Sequence, residues 1–435
     1  MESVKNLIVG AGITGLSLAL RLQEQGKDYR VLEARDEAGG NIRSRREEGF
    51  LYDLGPNTLL VRDAQVDALL QTLPLEEIGA NPLARRRFVL NRRHQPVALG
   101  PKALLGGSLL SARARLRLLG EPFRASAQAE ESVATFVRRR LGPEVLDWMV
   151  DPFVSGVFAG DPEQLSLPAS LPRLAQMEQE HGSLLLAGLR RKKASLKSRL
   201  ISFAGGMQDL PRAIAKELGG NLHCNSAVTA IQRTANGWHV TSTTGEWETQ
   251  RLFLCLPTDA ILRITPADAR DLHTRLAEIA YPQVATLALG FARQQIQHPL
   301  DGFGLLIPRR LQIPTLGALF SSTLFPARAP SGQVLLTVFL GGAQEKLPKE
   351  DQLVAQALND LSPILGIHGE PKFQRVQIWP RAIPQYHLGH ADRIAAIDAV
   401  TARDWPGVSL LGNWRGGIAL GDCIRNGLDT AQSAY

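Results

Sequence analysis

Cysteine is scarce in this sequence, and its placement excludes more than its number. The chain of 435 residues carries three: Cys224, Cys255 and Cys423. An odd, widely spaced set matches neither a disulfide framework nor a metal-binding spacing, and it fits a reducing compartment. Long apolar runs are missing too. None reaches the ~20 residues needed to cross a bilayer, so any membrane attachment must be peripheral. There is no internal repeat and no low-complexity segment. No zinc-finger spacing or ribonucleoprotein-type aromatic signature accompanies the basic charge, which makes nucleic acid the weakest of the anionic partners.

What is present is a folded-protein composition, 44% hydrophobic and 21% charged. The length suggests about three domain-sized units. A formal charge of +7 favours acidic small molecules or anionic lipid, with a solvated basic face as the plainer reading. Residues 5–34 read as one βαβ unit: "NLIVG" a strand, "TGLSLALRLQEQG" an amphipathic helix stopped by Gly26, "YRVLEA" a second strand. The middle is rich in Leu, Ala and Arg, with helical stretches at "GSLLSARARLRLLGEPF" and "ESVATFVRRRLGPEVLDWMV". "RRKKASLKSR" reads as an exposed basic connector. Strand patterns return at "NLHCNSAVTAIQR", "GWHVTSTTG", "RLFLCLP", "VATLALGFA", "QVLLTVFLGG" and "FQRVQIW". The fold class is therefore α+β, with a nucleotide-binding core assembled from separate pieces.

"VGAGITG" sets Gly10, Gly12 and Gly15 in G-x-G-x-x-G spacing, with Ile13 and Thr14 entering the helix. Gly10 takes the tight turn, Gly12 lets the backbone approach a pyrophosphate, and Gly15 lets helix and strand pack closely. Glu33 ends the second strand at the offset expected for a ribose hydroxyl contact, and its carboxylate would repel the 2′-phosphate of NADP. A nicotinamide fold needs nothing special after that acid, yet "RDEAGGNIRS" follows. This stretch resembles the second glycine motif of the amine-oxidase-like flavoproteins, which implies FAD. In that reading Ala34 and Arg35 lie near the adenosine, Gly39, Gly40 and Asn41 permit close backbone approach, and Arg43 reaches for the phosphates. A glycine turn with surface arginines is the alternative.

"LYDLGPNTLL" brings Gly55, Pro56, Asn57 and Thr58 to where the same superfamily approaches the flavin ring. At the other end, "LLGNWRGGIALGDCIRNG" passes through Gly412, Gly416, Gly417, Ile418 and Ala419 to Gly421 and a final helix. A helix N-terminus there would stabilise negative charge developing on the flavin pyrimidine.

Several separated segments, "GGNIRS", "DPFVSGVFAGDPEQLSLPASLP", "SFAGGMQDLPRAI", "GFGLLIP", "TLGALFSSTLFPARAP", "WPRAIPQYHLGH" and "GNWRGGIALG", together resemble the oxygen-dependent protoporphyrinogen oxidases of haem and chlorophyll biosynthesis. The resemblance spans nearly the whole chain. It implies a Rossmann-type FAD-binding domain (1–84, 201–258, 398–435), a mixed-sheet substrate domain (85–91, 259–397) and a helical membrane-binding insertion (92–200). It implies oxidation of protoporphyrinogen IX to protoporphyrin IX in three two-electron cycles, with molecular oxygen reduced to hydrogen peroxide. It further implies a lipid surface and a ferrochelatase as partners. The opening "MESVKNLIVG" leaves no room for a signal or transit peptide, which predicts a bacterial cytoplasmic protein at the inner membrane.

The resemblance also implies site residues. Leu306 and Leu319 pack on one face of the macrocycle with Phe339 opposite, although the residues alone read as ordinary strand core. Arg87 holds a propionate, with Arg85 and Arg86 close enough for the assignment to slip. Gly156 lies against the substrate, the alternative being a plain turn between helices, and Ala159 stands where the family often has glycine. Val228 and Trp379 contact the cofactor. No general base is evident; His387 and His390 read as structural. The nearest rival substrate is coproporphyrinogen III, whose four propionates call for a more cationic pocket. An amine oxidase would carry a lysine near the flavin and an aromatic cage, neither of which is clear. A non-catalytic carrier would have no need of the flavin motifs.

Overall fold

The computed structural model describes residues 1–100, 103, 107–189, 198–344 and 346–433. Most of the "RRKKASLKSR" connector lies outside the described residues. The opening strand Glu2–Val9 is exposed where it begins and buried over its last four residues. It is the centre of the first sheet. Tyr29–Leu32 pairs with it in parallel on one side and Gly245–Cys255 on the other. Leu222–His223 and Val408–Leu411 extend the parallel part, while Gly237–Ser242 and Val228–Thr234 add antiparallel strands. Parallel strands need both faces covered, and helices Ile13–Glu24, Asp209–Leu218 and Leu420–Ser433 supply much of that cover on one side.

The second sheet runs, edge to edge, Phe373–Trp379, Val284–Ala292, Gln333–Gly341, Thr315–Leu319, Gly304–Leu306, Arg87–Leu90 and Pro96–Ala98. Every residue of Val284–Ala292 is buried. Alternation divides the work. Ala285, Leu287, Leu289 and Phe291 join the core under helix Leu353–Leu365, so the intervening residues face the other way. That second face meets the hairpin Ser44–Glu47 and Phe50–Asp53 of the first unit, with Phe50 stacked on Phe373 at 4.6 Å.

Residues 107–189 are largely helical, and the stretch "ESVATFVRRRLGPEVLDWMV" forms several short pieces. Val133–Arg140, capped by Ser132, stops before Gly142 at φ +99° and Pro143. After the short turn Pro143–Val145, a π-helical turn Leu146–Val150 leads into helix Asp151–Phe158. No helix among the described residues is long and apolar enough to cross a membrane. Helix Ala112–Leu119 nevertheless leaves Leu116 and Leu119 70% and 71% exposed, and Phe123 just beyond is 91% exposed.

A buried ion cluster organises this helical part. The Arg140 guanidinium, fully buried, pairs with Glu178 and with Glu121 at 3.3 Å and also donates to the Arg124 carbonyl at 3.0 Å. Glu121 in turn accepts the Leu184 amide at 3.0 Å, tying down helix Leu184–Leu189. Breaking a buried pair leaves an uncompensated charge. Arg140→Met should therefore cost about 3–5 kcal/mol of stability, measured as a lowered midpoint in urea or thermal unfolding.

Candidate active site

The glycine triplet forms a cradle at the carboxyl end of the opening strand. A side chain on Gly10 would stand 2.6 Å from the Cys255 carbonyl, and one on Gly15 would stand 2.1 Å from the Gly10 carbonyl. Gly12 is the opposite case. A Cβ there would meet no protein atom within 4 Å, so its backbone faces open space at the helix N-terminus, where Ile13 and Thr14 are buried. Glu33, 7% exposed, accepts the Ala11 amide at 2.7 Å and the Arg35 amide at 3.0 Å, which locks its carboxylate beside the cradle.

The segment after Glu33 folds back over the same spot. Ala34 and Arg35 are exposed. The Gly39 amide donates to the Ala11 carbonyl at 2.8 Å, and a Cβ on Gly40 would lie 3.3 Å from the Gly12 Cα. The Arg35 guanidinium braces the loop through the Gly40 carbonyl at 2.6 Å. Arg43 is half-buried without a carboxylate partner among the described residues. Burial, together with neighbouring Arg35 and Arg45, pushes its guanidinium below the usual arginine range. An unpaired, partly desolvated cation beside an open glycine cradle and an N-terminal helix dipole fits the pyrophosphate of FAD.

Gly55 packs so closely on Asn41 that a Cβ would stand 2.0 Å from the Asn41 carbonyl, and half-buried Pro56, Asn57 and Thr58 follow. The Trp379 indole donates to the Leu54 carbonyl at 3.0 Å, so it flanks this turn. Val228 starts its strand two residues after Ser226, whose amide donates to the Glu33 carbonyl at 2.7 Å. At the far end of the chain, Gly412 and Gly417 have φ of +150° and +115°, and the Cys423 amide bonds the Ala419 carbonyl as the closing helix begins. Ile418 packs into the same cluster as Leu306 and Phe158, bringing this turn to the second sheet.

On the face of that sheet turned away from helix Leu353–Leu365, register sets the sequence-predicted substrate residues side by side. Arg87 pairs with Gly304, Gly304 with Leu319, and Leu319 with Thr337, forming one row across four strands. Val89, Leu306, Gly317 and Phe339 form the next. Leu306, Leu319 and Phe339 are half-buried. Among the three arginines, Arg86 is paired with Asp301, whereas Arg87 is exposed and lies over the Phe303 ring at 5.1 Å. Gly304, Gly317 and Thr337 were missed by sequence reasoning: alternation from Leu306, Leu319 and Phe339 puts each on the same face, but only the register sets them side by side.

For Gly156 the alternative of a plain turn falls away. It lies inside helix Asp151–Phe158 rather than in a turn, and a Cβ there would stand 2.4 Å from Leu306 Cδ2. The helix is held in that place by Asp151, which pairs with Arg309 just beyond the Leu306 strand. Ala159 ends the helix in the left-handed conformation at φ +48° and ψ +31°, a geometry that favours glycine. Ala159→Gly should raise stability by up to about 1 kcal/mol, after the loss of chain rigidity in the unfolded state is offset; chemical denaturation would show it.

His390 is 5% exposed and stacks on Tyr386 at 4.0 Å. Burial, reinforced by Arg393 and His387, holds its pKa down at about 4 against an ordinary 6.5. The unfolded chain takes up this proton near pH 6.5 while the folded chain does not, so stability falls as pH drops from 6.5 towards about 4. His387 and His298 are shifted in the same direction. Thermal midpoints measured across that window should decline, and His390→Phe should flatten part of the decline.

Residues 13–434 match the family described as flavin containing amine oxidoreductase. The chain is 34% identical to protoporphyrinogen oxidase 2, chloroplastic/mitochondrial, of Arabidopsis thaliana, over 98% of this chain and 92% of that protein. It is 27% identical to the coproporphyrinogen III oxidase of Bacillus subtilis (strain 168), over 97% and 96%. In fold it is similar to a crystal structure from Exiguobacterium sp. 255-15 assigned as a protoporphyrinogen oxidase, with TM-score 0.85 and 23% identity, covering 99% of this chain and 98% of the other. Reduced UDP-galactopyranose mutase shares the fold at TM-score 0.77 and 19% identity, over 99% and 94%. The chain belongs to the flavin-containing amine oxidoreductases, and its cofactor is FAD.

Proposed function

We propose that this chain is an FAD-dependent oxidase that converts protoporphyrinogen IX to protoporphyrin IX in three two-electron steps, with molecular oxygen as final acceptor and hydrogen peroxide as product. The observation that carries the reading is the shared sheet face, where Leu306, Leu319 and Phe339 lie on adjoining strands with Gly156 against Leu306. FAD supplies the two-electron acceptor. The chain's own part is to hold the cofactor and present a large apolar ring to it. Gly10, Gly12, Gly15 and Arg43 would hold the pyrophosphate, Glu33 the ribose, and residues 55–58 and 412–419 the ring system. Leu306, Leu319 and Phe339 would pack on the macrocycle, and Arg87 would fork onto a propionate. An electron-rich macrocycle gives up hydride readily, so positioning and water exclusion are the main demands on the protein.

Coproporphyrinogen III is the second reading, supported by the Bacillus relative. Its extra propionates would need more cations than Arg87 and its neighbours bring to this face, and the higher identity lies with the protoporphyrinogen enzymes. FAD would be held by 1–84, 201–258 and 398–435, and substrate by 85–91 and 259–397, with 92–200 as the membrane-facing insertion. Exposed Leu116, Leu119 and Phe123, interleaved with Arg113, Arg115 and Arg117, suit the surface of an anionic bilayer. In this reading the protein would sit on the cytoplasmic side of the inner membrane, where an apolar product could pass to a ferrochelatase.

The test is aerobic oxidation by FAD-loaded protein followed as porphyrin fluorescence, with the two porphyrinogens in parallel. Faster turnover of protoporphyrinogen IX is expected; preference for coproporphyrinogen III would move the enzyme to the other route, and turnover of neither would sink both. Within the same assay Arg87→Ala should raise KM roughly tenfold with little change in kcat. Gly156→Val should lower kcat/KM by at least about tenfold, because the new side chain displaces Leu306.

A further inference from the structure

Tyr386 is where three separated pieces of chain meet. It lies in the loop after strand Phe373–Trp379, 4% exposed. Its phenol donates to the Asn413 carbonyl at 2.7 Å and accepts the Gly417 amide at 3.1 Å, so it closes the glycine turn from within. Its backbone carbonyl accepts the Ser166 amide at 2.8 Å, at the start of the short helix Leu167–Ser170. Its neighbours make matching ties. The Gln385 side-chain amide donates to the carbonyl of Phe158, the last residue of the helix that carries Gly156, at 2.9 Å. Leu165 and His387 form a β-bridge.

The turn needs such a tie. Gly412, Gly416 and Gly417 have φ of +150°, +71° and +115°, and a run of glycines at positive φ has wide conformational freedom. Amides on so free a segment do not hold a fixed direction unless something outside the turn pins them. Trp414 pins one end through the Leu256 carbonyl at 3.0 Å. Tyr386 pins the other.

We propose that Tyr386 is a positioning residue of the oxidase. Its hydroxyl fixes residues 412–417 at the pyrimidine end of the flavin, its backbone carbonyl ties that turn to Ser166, and the side chain of the adjoining Gln385 reaches the Phe158 carbonyl in the helix that carries Gly156. Cofactor and substrate surface are thereby held in one register. The inference rests on the reading of residues 412–419 as a flavin contact.

Tyr386→Phe removes the hydroxyl alone, leaving the stack on His390 and every backbone bond in place. Wild type and variant are compared by FAD titration, by the midpoint potential and absorbance of the bound flavin, and by kcat and KM measured separately. The expected result is roughly tenfold weaker FAD binding, since a buried carbonyl and amide lose their partner. A displaced flavin potential and a fall in kcat larger than any change in KM should accompany it. A tyrosine that merely supports the fold would lower the melting temperature and leave the FAD affinity and potential of the folded protein unchanged, and that outcome overturns the proposal. Wild type that takes up no FAD would overturn the flavin reading itself; wild type that binds FAD as tightly as the variant removes only the role of Tyr386. Should the variant not fold, hydrogen exchange in wild type decides. Protection of the Gly417 amide that rises with FAD supports the proposal, and exchange as fast as a free loop overturns it.

Discussion

The contact on which the rest depends is between two backbones. Helix Ile13–Glu24 can lie against the strand before it only because Gly15 has no side chain, and the closing helix can lie on that one only because Gly427 has none. A Cβ on Gly427 would stand 2.4 Å from the Thr14 carbonyl. Through these approaches the first and last elements of the chain share one core, with Leu16 and Ala19 packed in the same cluster as Ile424 and Leu428. The turn at residues 412–419 is thereby carried to the open end of the cradle at Gly10 and Gly12. A site built from both ends of a chain requires this closure before any of its side chains matter.

Ion pairs then fasten the joints between parts that apolar packing builds separately. Arg328 and Asp53, each 3% exposed and 2.8 Å apart, join the second unit to the hairpin of the first. Asp53 is raised by burial against the pull of Arg328, and it also accepts the Ser44 hydroxyl at 2.6 Å and the Met207 amide at 2.9 Å. Arg309 and Asp151 do the same between the Leu306 strand and the helical part. Buried pairs of this kind are costly to leave half-made, which favours one arrangement of the parts over near alternatives.

Short-range features were legible in the sequence. The strand–glycine–helix unit, the nine-residue run Val284–Ala292 and the loop that folds over the cradle all carry their cause within a few residues. What was not legible depends on neighbours far along the chain. Gly317 and Thr337 matter because of what lies beside them across strands, and register is set by tertiary packing. For Gly156 the alternative of a plain turn stayed open because glycine usually marks one, yet contact with Leu306 makes the same absence of a side chain useful inside a helix. The helical stretch "ESVATFVRRRLGPEVLDWMV" is divided at Gly142 and Pro143 and by the π-helical turn after them, a subdivision that composition alone does not set. Tyr386 was quoted within its segment but had no local sign of its reach to Asn413 and Gly417.

The π-helical turn Leu146–Val150 has a consequence for how this molecule can change over evolutionary time. Such a turn holds one residue more than an α-helical path would. Losing one residue there would let the helix run smoothly, and the backbone would gain regular hydrogen bonds. It would also turn every following side chain by about 100° around the axis, carrying Gly156 away from Leu306. The irregular segment acts as a phase adjuster: length variants that look harmless, or even improved, by local geometry would leave the helix intact and point the wrong face at the sheet.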